Sequence, residues 1–182
     1  MKRIVIFASG TGTTFNSIVE YAKENGSYSI VSLVSNKMDC GAVQIAKREK
    51  IDVIEYDENI VDKLASIKPD LIVLAGFLKI LRHEIIHEYS GKIINIHPSL
   101  LPSFGGRGFY GIRVHRAVKE SGVKFTGFTV HRVTEDVDGG EILYQMVTPV
   151  LDSDTPEDIE RRVHKMELEY FPSMIESLLK GI

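Results

Sequence analysis

The chemistry this sequence can do is concentrated in an amide, an imidazole and a carboxylate. The run Ile93-Ile94-Asn95-Ile96-His97-Pro98-Ser99-Leu100-Leu101-Pro102 is apolar until it reaches Asn95 and His97, and then meets proline. In an extended strand alternate residues share a face, so Asn95 and His97 point the same way where the strand runs out. Pro98 cannot donate to a sheet ladder and Pro102 bars an immediate helix, which leaves the pair at the mouth of a sheet. Asp138, in the turn-forming stretch Asp136-Val137-Asp138-Gly139-Gly140, reaches the same edge if neighbouring strands end there. An amide N–H can donate to an oxyanion forming on a carbonyl. An imidazole exchanges protons near neutral pH, and a carboxylate beside it stabilises the imidazolium. No cysteine and no elbow-type serine accompanies the trio, so the nucleophile has to come from a substrate. Direct transfer between two bound molecules is the reaction this implies. Taken singly, each residue also admits a structural role, as a buried hydrogen-bonding group or as part of a turn.

A second seat lies in Ser9-Gly10-Thr11-Gly12-Thr13-Thr14, after the apolar run Ile4 to Ala8 and before a helix pattern carried by Phe15, Ile18 and Val19. Backbone N–H groups at a helix start, with the hydroxyls of Thr11, Thr13 and Thr14, suit a phosphate. The dinucleotide fingerprint is excluded, because Phe15 stands at its third glycine and the second strand ends in Ser35-Asn36 without an acid. No Gly-Lys-Ser/Thr follows, which excludes an NTPase loop. A single phosphate monoester fits best, with a tight strand-to-helix turn as the plainer alternative. His83-Glu84-Ile85-Ile86-His87 matches the His-Glu-x-x-His zinc pattern. No third ligand follows it in a metzincin arrangement, so a solvated helix face is the expectation there and no metal is expected.

The elements that must hold these groups follow from the hydrophobic pattern. Buried runs at Ile4 to Ala8, Ile30 to Val34, Asp52 to Tyr56 and Leu71 to Ala75 alternate with helix patterns, which argues for a parallel sheet covered on both faces. Ligands then belong at the carboxyl ends of the strands. Ser103 to Gly111 is a loop with four glycines, and Phe125 to Val133 and Ile142 to Val150 read as two long strands joined by a turn-rich connection. Asp154-Thr155-Pro156-Glu157-Asp158 opens a final helix. The expected fold is α/β: a doubly wound, mostly parallel sheet with a C-terminal antiparallel strand pair, in a single domain over 1–182. With 182 residues and a net charge of −3, the chain has a full core and no general field to attract nucleic acid. The lone Cys40 excludes an internal disulfide, and no apolar run reaches the length of a membrane span. Met1-Lys2-Arg3-Ile4 enters a strand pattern at once, without a signal peptide. A cytoplasmic location, with neither membrane nor nucleic acid as partner, is expected.

Asn95 to Pro102 together with Asp138-Gly139-Gly140 resembles the formyltransferase family that uses 10-formyltetrahydrofolate, and within it the branch that formylates glycinamide ribonucleotide in purine synthesis. The resemblance extends through Ile6-Phe7-Ala8-Ser9-Gly10, Leu33-Val34-Ser35-Asn36, Asp70 to Phe77, Gly127 to His131, and Glu167 before Tyr170-Phe171-Pro172, covering nearly the whole chain. It implies a Rossmann-like formyltransferase fold with Asn95, His97 and Asp138 as catalytic residues. It implies that Gly12, Thr13, Thr14, Phe15, Asn16 and Glu167 bind glycinamide ribonucleotide. Leu78, Lys79, Ile80, Leu81, Asn95 and Val137 would bind the folate, a co-substrate and not a resident cofactor. The family pattern is altered at Thr13-Thr14, where Ser-Asn is usual, and at Lys79, where arginine is common. A substrate-side arginine also has no counterpart among Tyr56 to Asn59. The loop Ser103 to Gly111 is longer than in many members; Arg107 could supply charge from it as a lid, although an exposed arginine on a surface loop is the simpler reading. Related chemistries differ in recognisable ways. A methionyl-tRNA formyltransferase usually has glycine or alanine at Pro98 and a further C-terminal domain, whereas a formyltetrahydrofolate hydrolase brings an N-terminal regulatory domain. A binding module would hold a nucleotide at the turn and use the trio structurally.

Overall fold

Short apolar runs form strands here because each is buried on both faces, and the helices between them supply the cover. The computed structural model describes residues 1–181. In chain order its elements are β1 (Lys2–Phe7), α1 (Thr13–Asn25), β2 (Tyr28–Ser35), α2 (Gly41–Arg48), β3 (Asp52–Glu55), α3 (Ile60–Ile67) and β4 (Leu71–Leu74). They continue as α4 (His83–Glu88), β5 (Ile93–His97), α5 (Ile112–Ser121), β6 (Phe125–Arg132), β7 (Ile142–Pro149) and α6 (Pro156–Lys180).

One seven-stranded sheet runs in the order β3-β2-β1-β4-β5-β6-β7. The first five strands are mutually parallel, and β6 is antiparallel to both β5 and β7. The expected doubly wound layer and its C-terminal antiparallel pair are both present; β6 is the one inverted strand. Alternation along the strands splits the core in two. Ile4, Ile6, Leu71, Val73, Ile94 and Ile96 pack on the side of α1, α2 and α6, whereas Val5, Phe7, Ile72, Leu74 and Ile93 pack on the side of α3 and α4. Asn95 and His97 have the parity of Ile93, so they emerge on the second side, beyond the apolar part of β5.

Strand order reverses direction between β1 and β4, and that crevice is where open α/β sheets take ligands. Among the described residues no helix is long and apolar enough to cross a membrane. The last helix opens with a capping box: the Thr155 hydroxyl accepts from the Asp158 N–H at 3.1 Å and the Asp158 carboxylate accepts from the Thr155 N–H at 2.9 Å. Its 25 residues cross the chain's first helix and bring Glu167 to the carboxyl ends of the strands.

Candidate active site

A single cavity of about 1020 Å³ opens at that crevice and along the ends of β4 and β5. Gly12, Thr13 and Thr14 lie in its wall, as do Leu78 to Leu81, Asn95, His97, Asp138 and Glu167. Most of the site residues expected from the sequence therefore share one space, although they come from five separate stretches of chain.

Cross-strand pairing builds the polar centre. Asn95 of β5 stands directly opposite His131 of β6, and its Nδ2 is 3.0 Å from His131 Nε2. His131 Nδ1 is 2.8 Å from the Arg132 carbonyl, which can only accept, so Nδ1 carries the hydrogen. The neutral ring then accepts at Nε2, and the Asn95 amide donates one of its two hydrogens there. This fixes which edge of the amide faces which way. His131 was not singled out as a site residue in the sequence; its signal, direct opposition to Asn95, exists only once the strand register is known.

The same argument sets the state of His97. Its Nε2 is 2.9 Å from the Phe104 carbonyl and must donate, which leaves Nδ1 as the atom that can take a proton. Asp138 Oδ2 lies 3.5 Å from that Nδ1, and Asp138 Oδ1 lies 3.5 Å from His131 Nε2. These separations are long for direct hydrogen bonds, and protonation of His97 would draw the pair together. The Gly106 N–H donates to Asp138 Oδ2 at 2.9 Å. Burial pushes the Asp138 carboxyl up, but the charge of His97 and the Gly106 amide act against it, and the net direction is below the usual carboxylate range. Asp138 also has φ +57°, a left-handed conformation that the tight turn into Gly139 imposes.

The loop Ser103 to Gly111 is part of this centre. Phe104 supplies the carbonyl for His97 and Gly106 the amide for Asp138. A Cβ at Gly105 would lie 2.4 Å from Leu101 Cδ2 and 3.3 Å from Asp138 Cβ, so a larger residue there would have to displace the end of the Leu101 side chain. Behind it, the Thr129 hydroxyl donates to the Ser99 carbonyl at 2.6 Å and accepts from the Leu101 N–H at 3.0 Å, bracing the proline-bounded turn after β5.

At the far end of the cavity, Gly12 caps α1 with φ +83°, and no side chain caps the helix. A Cβ on Gly12 would sit 2.6 Å from Ala42 Cα, so this turn excludes any other residue. Thr13 and Thr14 border the cavity, but the side chains of Phe15 and Asn16 do not: Phe15 is fully buried in the core, and Asn16 Oδ1 accepts from Arg48 at 3.0 Å. At these two positions α1 turns the Phe15 side chain inward and the Asn16 side chain sideways, which leaves the backbone, not these side chains, to face a ligand at the turn. Thr13 Oγ1 is 2.9 Å from His164 Nε2, and His164 Nδ1 is 3.0 Å from Glu167 Oε2. His164, three residues before Glu167 on α6, was not picked out from sequence.

Between the two ends, Leu78 and Ile80 are 59% and 61% exposed and form an apolar lip, while Leu81 is buried. Lys79 Nζ stands 5.9 Å over the Tyr56 ring. Val137 borders the same lip. Arg107 and Arg161 also line the cavity, whereas Tyr56 to Asn59 do not. His83 and His87 lie on α4 outside it, with His83 Nδ1 2.5 Å from Glu135.

The chain as a whole matches known proteins. Residues 2–175 match the formyl transferase family. A chloroplastic phosphoribosylglycinamide formyltransferase of Vigna unguiculata is 42% identical over 97% of this chain, which spans 61% of that relative's length. The phosphoribosylglycinamide formyltransferase of Bacillus subtilis is 37% identical over 98% of this chain and 95% of its own. The crystal structure of glycinamide ribonucleotide transformylase 1 from Symbiobacterium toebii superposes with a TM-score of 0.90 at 32% identity, covering 100% of this chain and 89% of that one. With the family matched over nearly its whole length, and with close relatives of the same kind in both sequence and structure, this chain belongs to the formyl transferase family.

Proposed function

We propose that this chain transfers a formyl group from 10-formyltetrahydrofolate to the amine of glycinamide ribonucleotide, the reaction that forms formylglycinamide ribonucleotide in purine synthesis. The observation that carries the reading is the placement of Asn95, His97 and Asp138 in the same cavity as the α1 turn, with an apolar lip between. A phosphate seat at one end and an oxyanion donor at the other suit an acceptor that carries both a phosphate and an amine. The pterin lies against Leu78 to Leu81 and Val137, where apolar side chains and backbone groups hold it.

The substrate amine attacks the formyl carbon, and a C–N bond forms. Negative charge then collects on the formyl oxygen, where the second Asn95 N–H donates to it; the first is engaged by His131 Nε2. The attacking nitrogen becomes cationic and loses a proton to His97 Nδ1, directly or through water. Asp138, held ionised, stabilises the resulting imidazolium. Collapse of the intermediate breaks the bond to N10 of the folate, and N10 leaves with the proton that the His97 imidazolium returns, directly or through water, which restores the neutral ring. Every step uses a group that lines the cavity, and no enzyme nucleophile is required. The chain acts as one domain on small-molecule substrates in the cytoplasm, a location supported by its single unpaired Cys40.

The test is purified chain with 10-formyltetrahydrofolate, in the presence and absence of glycinamide ribonucleotide. Amine-dependent formation of the formylated product is the expected result. Loss of the formyl group to water at the same rate without the amine would mark a hydrolase, and absence of turnover in both conditions would mark a binding module.

A further inference from the structure

The phosphate turn is wired to a titratable side chain. Thr13 Oγ1, His164 and Glu167 form a chain of two contacts at 2.9 and 3.0 Å that joins the start of α1 to a carboxylate only 7% exposed. An ionised carboxylate only accepts, so His164 Nδ1 carries a hydrogen in both charge states of the ring. The state of Nε2 is then decided by protonation alone. In the neutral ring Nε2 accepts the hydrogen of the Thr13 hydroxyl, which turns only lone pairs toward an arriving anion. In the imidazolium Nε2–H donates to Oγ1, and the hydroxyl hydrogen is released to donate elsewhere.

We propose that Thr13, His164 and Glu167 form a proton-coupled clamp, in which a phosphate monoester seated at the start of α1 is gripped by the Thr13 hydroxyl when His164 is protonated, so that capture of the acceptor substrate takes up a proton. The proposal rests on reading this turn as the phosphate seat. It also supplies the missing substrate-side cation, because an imidazolium one hydroxyl away from the turn complements a phosphate charge of about −1.5 to −2.

The surroundings favour this switch. The Glu167 hydrogen bond raises the His164 pKa; burial lowers it, and the charges of Glu167 and Glu160 raise it again, with the net direction upward. From α5, His115 faces the pair. It is buried with Nδ1 unpartnered, and burial, followed by the charges of His97 and His164, pushes it down to about 4, so it stays neutral while His164 titrates. Glu157 and Arg161, on the same helix, also border the cavity, and the Arg161 guanidinium is engaged by Asp158. Two acids on α6, one of them bonded to the ring, thus bias His164 toward the charged form, and the one facing histidine does not compete for the proton.

Calorimetric titration of the chain with ribose 5-phosphate tests this without turnover. It is run in buffers of different ionisation heat at about pH 7.5, where a phosphate with its second pKa near 6 is already mostly a dianion. The expected result is uptake of a fraction of a proton, at most one, per ligand bound. Affinity should fall by up to about tenfold per pH unit once the free His164 has lost its proton. His164→Gln and, separately, Thr13→Val should each abolish the uptake and flatten the pH profile. With glycinamide ribonucleotide, the same variants should flatten the pH dependence of KM more than that of kcat. Uptake that persists undiminished in His164→Gln, absence of uptake in the unmodified chain, or failure of ribose 5-phosphate to bind would each overturn the clamp. A chain that binds ribose 5-phosphate with proton uptake yet transfers no formyl group would keep the clamp and sink the reaction assigned above.

Discussion

At the scale of single residues, the site depends on hydrogen-bond directions that two histidines determine. His131 holds Asn95 by one amide hydrogen, and the Phe104 carbonyl holds His97 by Nε2, so each reacting group has one defined open valence. Removing an oxyanion donor of this kind costs about 10² to 10³ in kcat. Asn95→Ala, His97→Ala and Asp138→Ala are therefore each expected to lower kcat by two orders of magnitude or more while KM moves less; steady-state kinetics on each variant checks this, and near-normal turnover would remove that residue from the mechanism. His131 acts through Asn95. Replacing it with phenylalanine removes the acceptor and should cost about ten- to a hundredfold in kcat, whereas His131→Gln, which keeps an acceptor oxygen within reach, should recover part of the loss. Equal losses in the two variants would mean that His131 serves packing alone.

At the scale of elements, α6 is what brings Glu167 and His164 to the turn at the start of α1, and an arginine in its first turns ties its entry to the end of β7. Arg162 donates to both oxygens of Asp154 at 2.6 and 2.9 Å and to the Pro149 carbonyl at 2.7 Å, tying the end of β7 to the first turns of the helix. The Arg162 hydrogen bond, against a smaller effect of burial, holds the Asp154 carboxyl below the usual range. Arg162→Ala should cost about 2 kcal/mol near neutral pH, because a largely buried carboxylate loses its bidentate partner. A depressed carboxylate contributes stability that is present above its unfolded pKa, near 4, and is lost as pH falls through the folded value. The difference in melting temperature between the parent and Arg162→Ala is thus expected to be full at neutral pH and to shrink below about pH 4. A difference that does not change with pH would rule out the ion pair as its source. The helix itself shows what the sequence could and could not disclose. Its start was legible, because Thr155, Pro156 and Asp158 are local signals. Its continuation through Pro172 was not: a proline read locally ends a helix at the preceding residue, but here Phe171, Met174 and Ile175 are buried against the sheet and carry the helix on to Lys180. Tertiary burial overrides the local rule, and no local pattern announces it.

At the scale of the whole molecule, the two halves of the cleft are built by different logic, and this decides what ligands should do to stability. The parallel half was readable from unbroken apolar runs, and with it the turn at Gly12 and the strand end at Asn95 and His97. The contacts that couple the halves, from His131 to Asn95, from Gly106 to Asp138 and from Thr13 to His164, join residues 36, 32 and 151 positions apart. Such pairings come from register and helix docking, which a single sequence does not encode locally. In the function proposed above, the acceptor and the folate are held by different residues along one cavity, Gly12 to Thr14 with Glu167 and Leu78 to Leu81 with Val137, and meet at Asn95 and His97. Ligands that can occupy the cleft together should each add to stability, nearly additively where neither changes the other's affinity. Each ligand at about 100 times its Kd adds about 2.7 kcal/mol, and for a chain of this size each kcal/mol raises the melting temperature by about 2 to 4 °C. Glycinamide ribonucleotide and a non-transferable folate analogue should therefore each raise the melting temperature by about 5 to 10 °C, and together by close to the sum. His97→Ala, which lacks the proton acceptor but leaves both binding segments in place, should retain both shifts while losing turnover. A scan in which the two ligands together shift the transition no further than one alone would show that they compete for one site, and the two-substrate cleft would have to be abandoned.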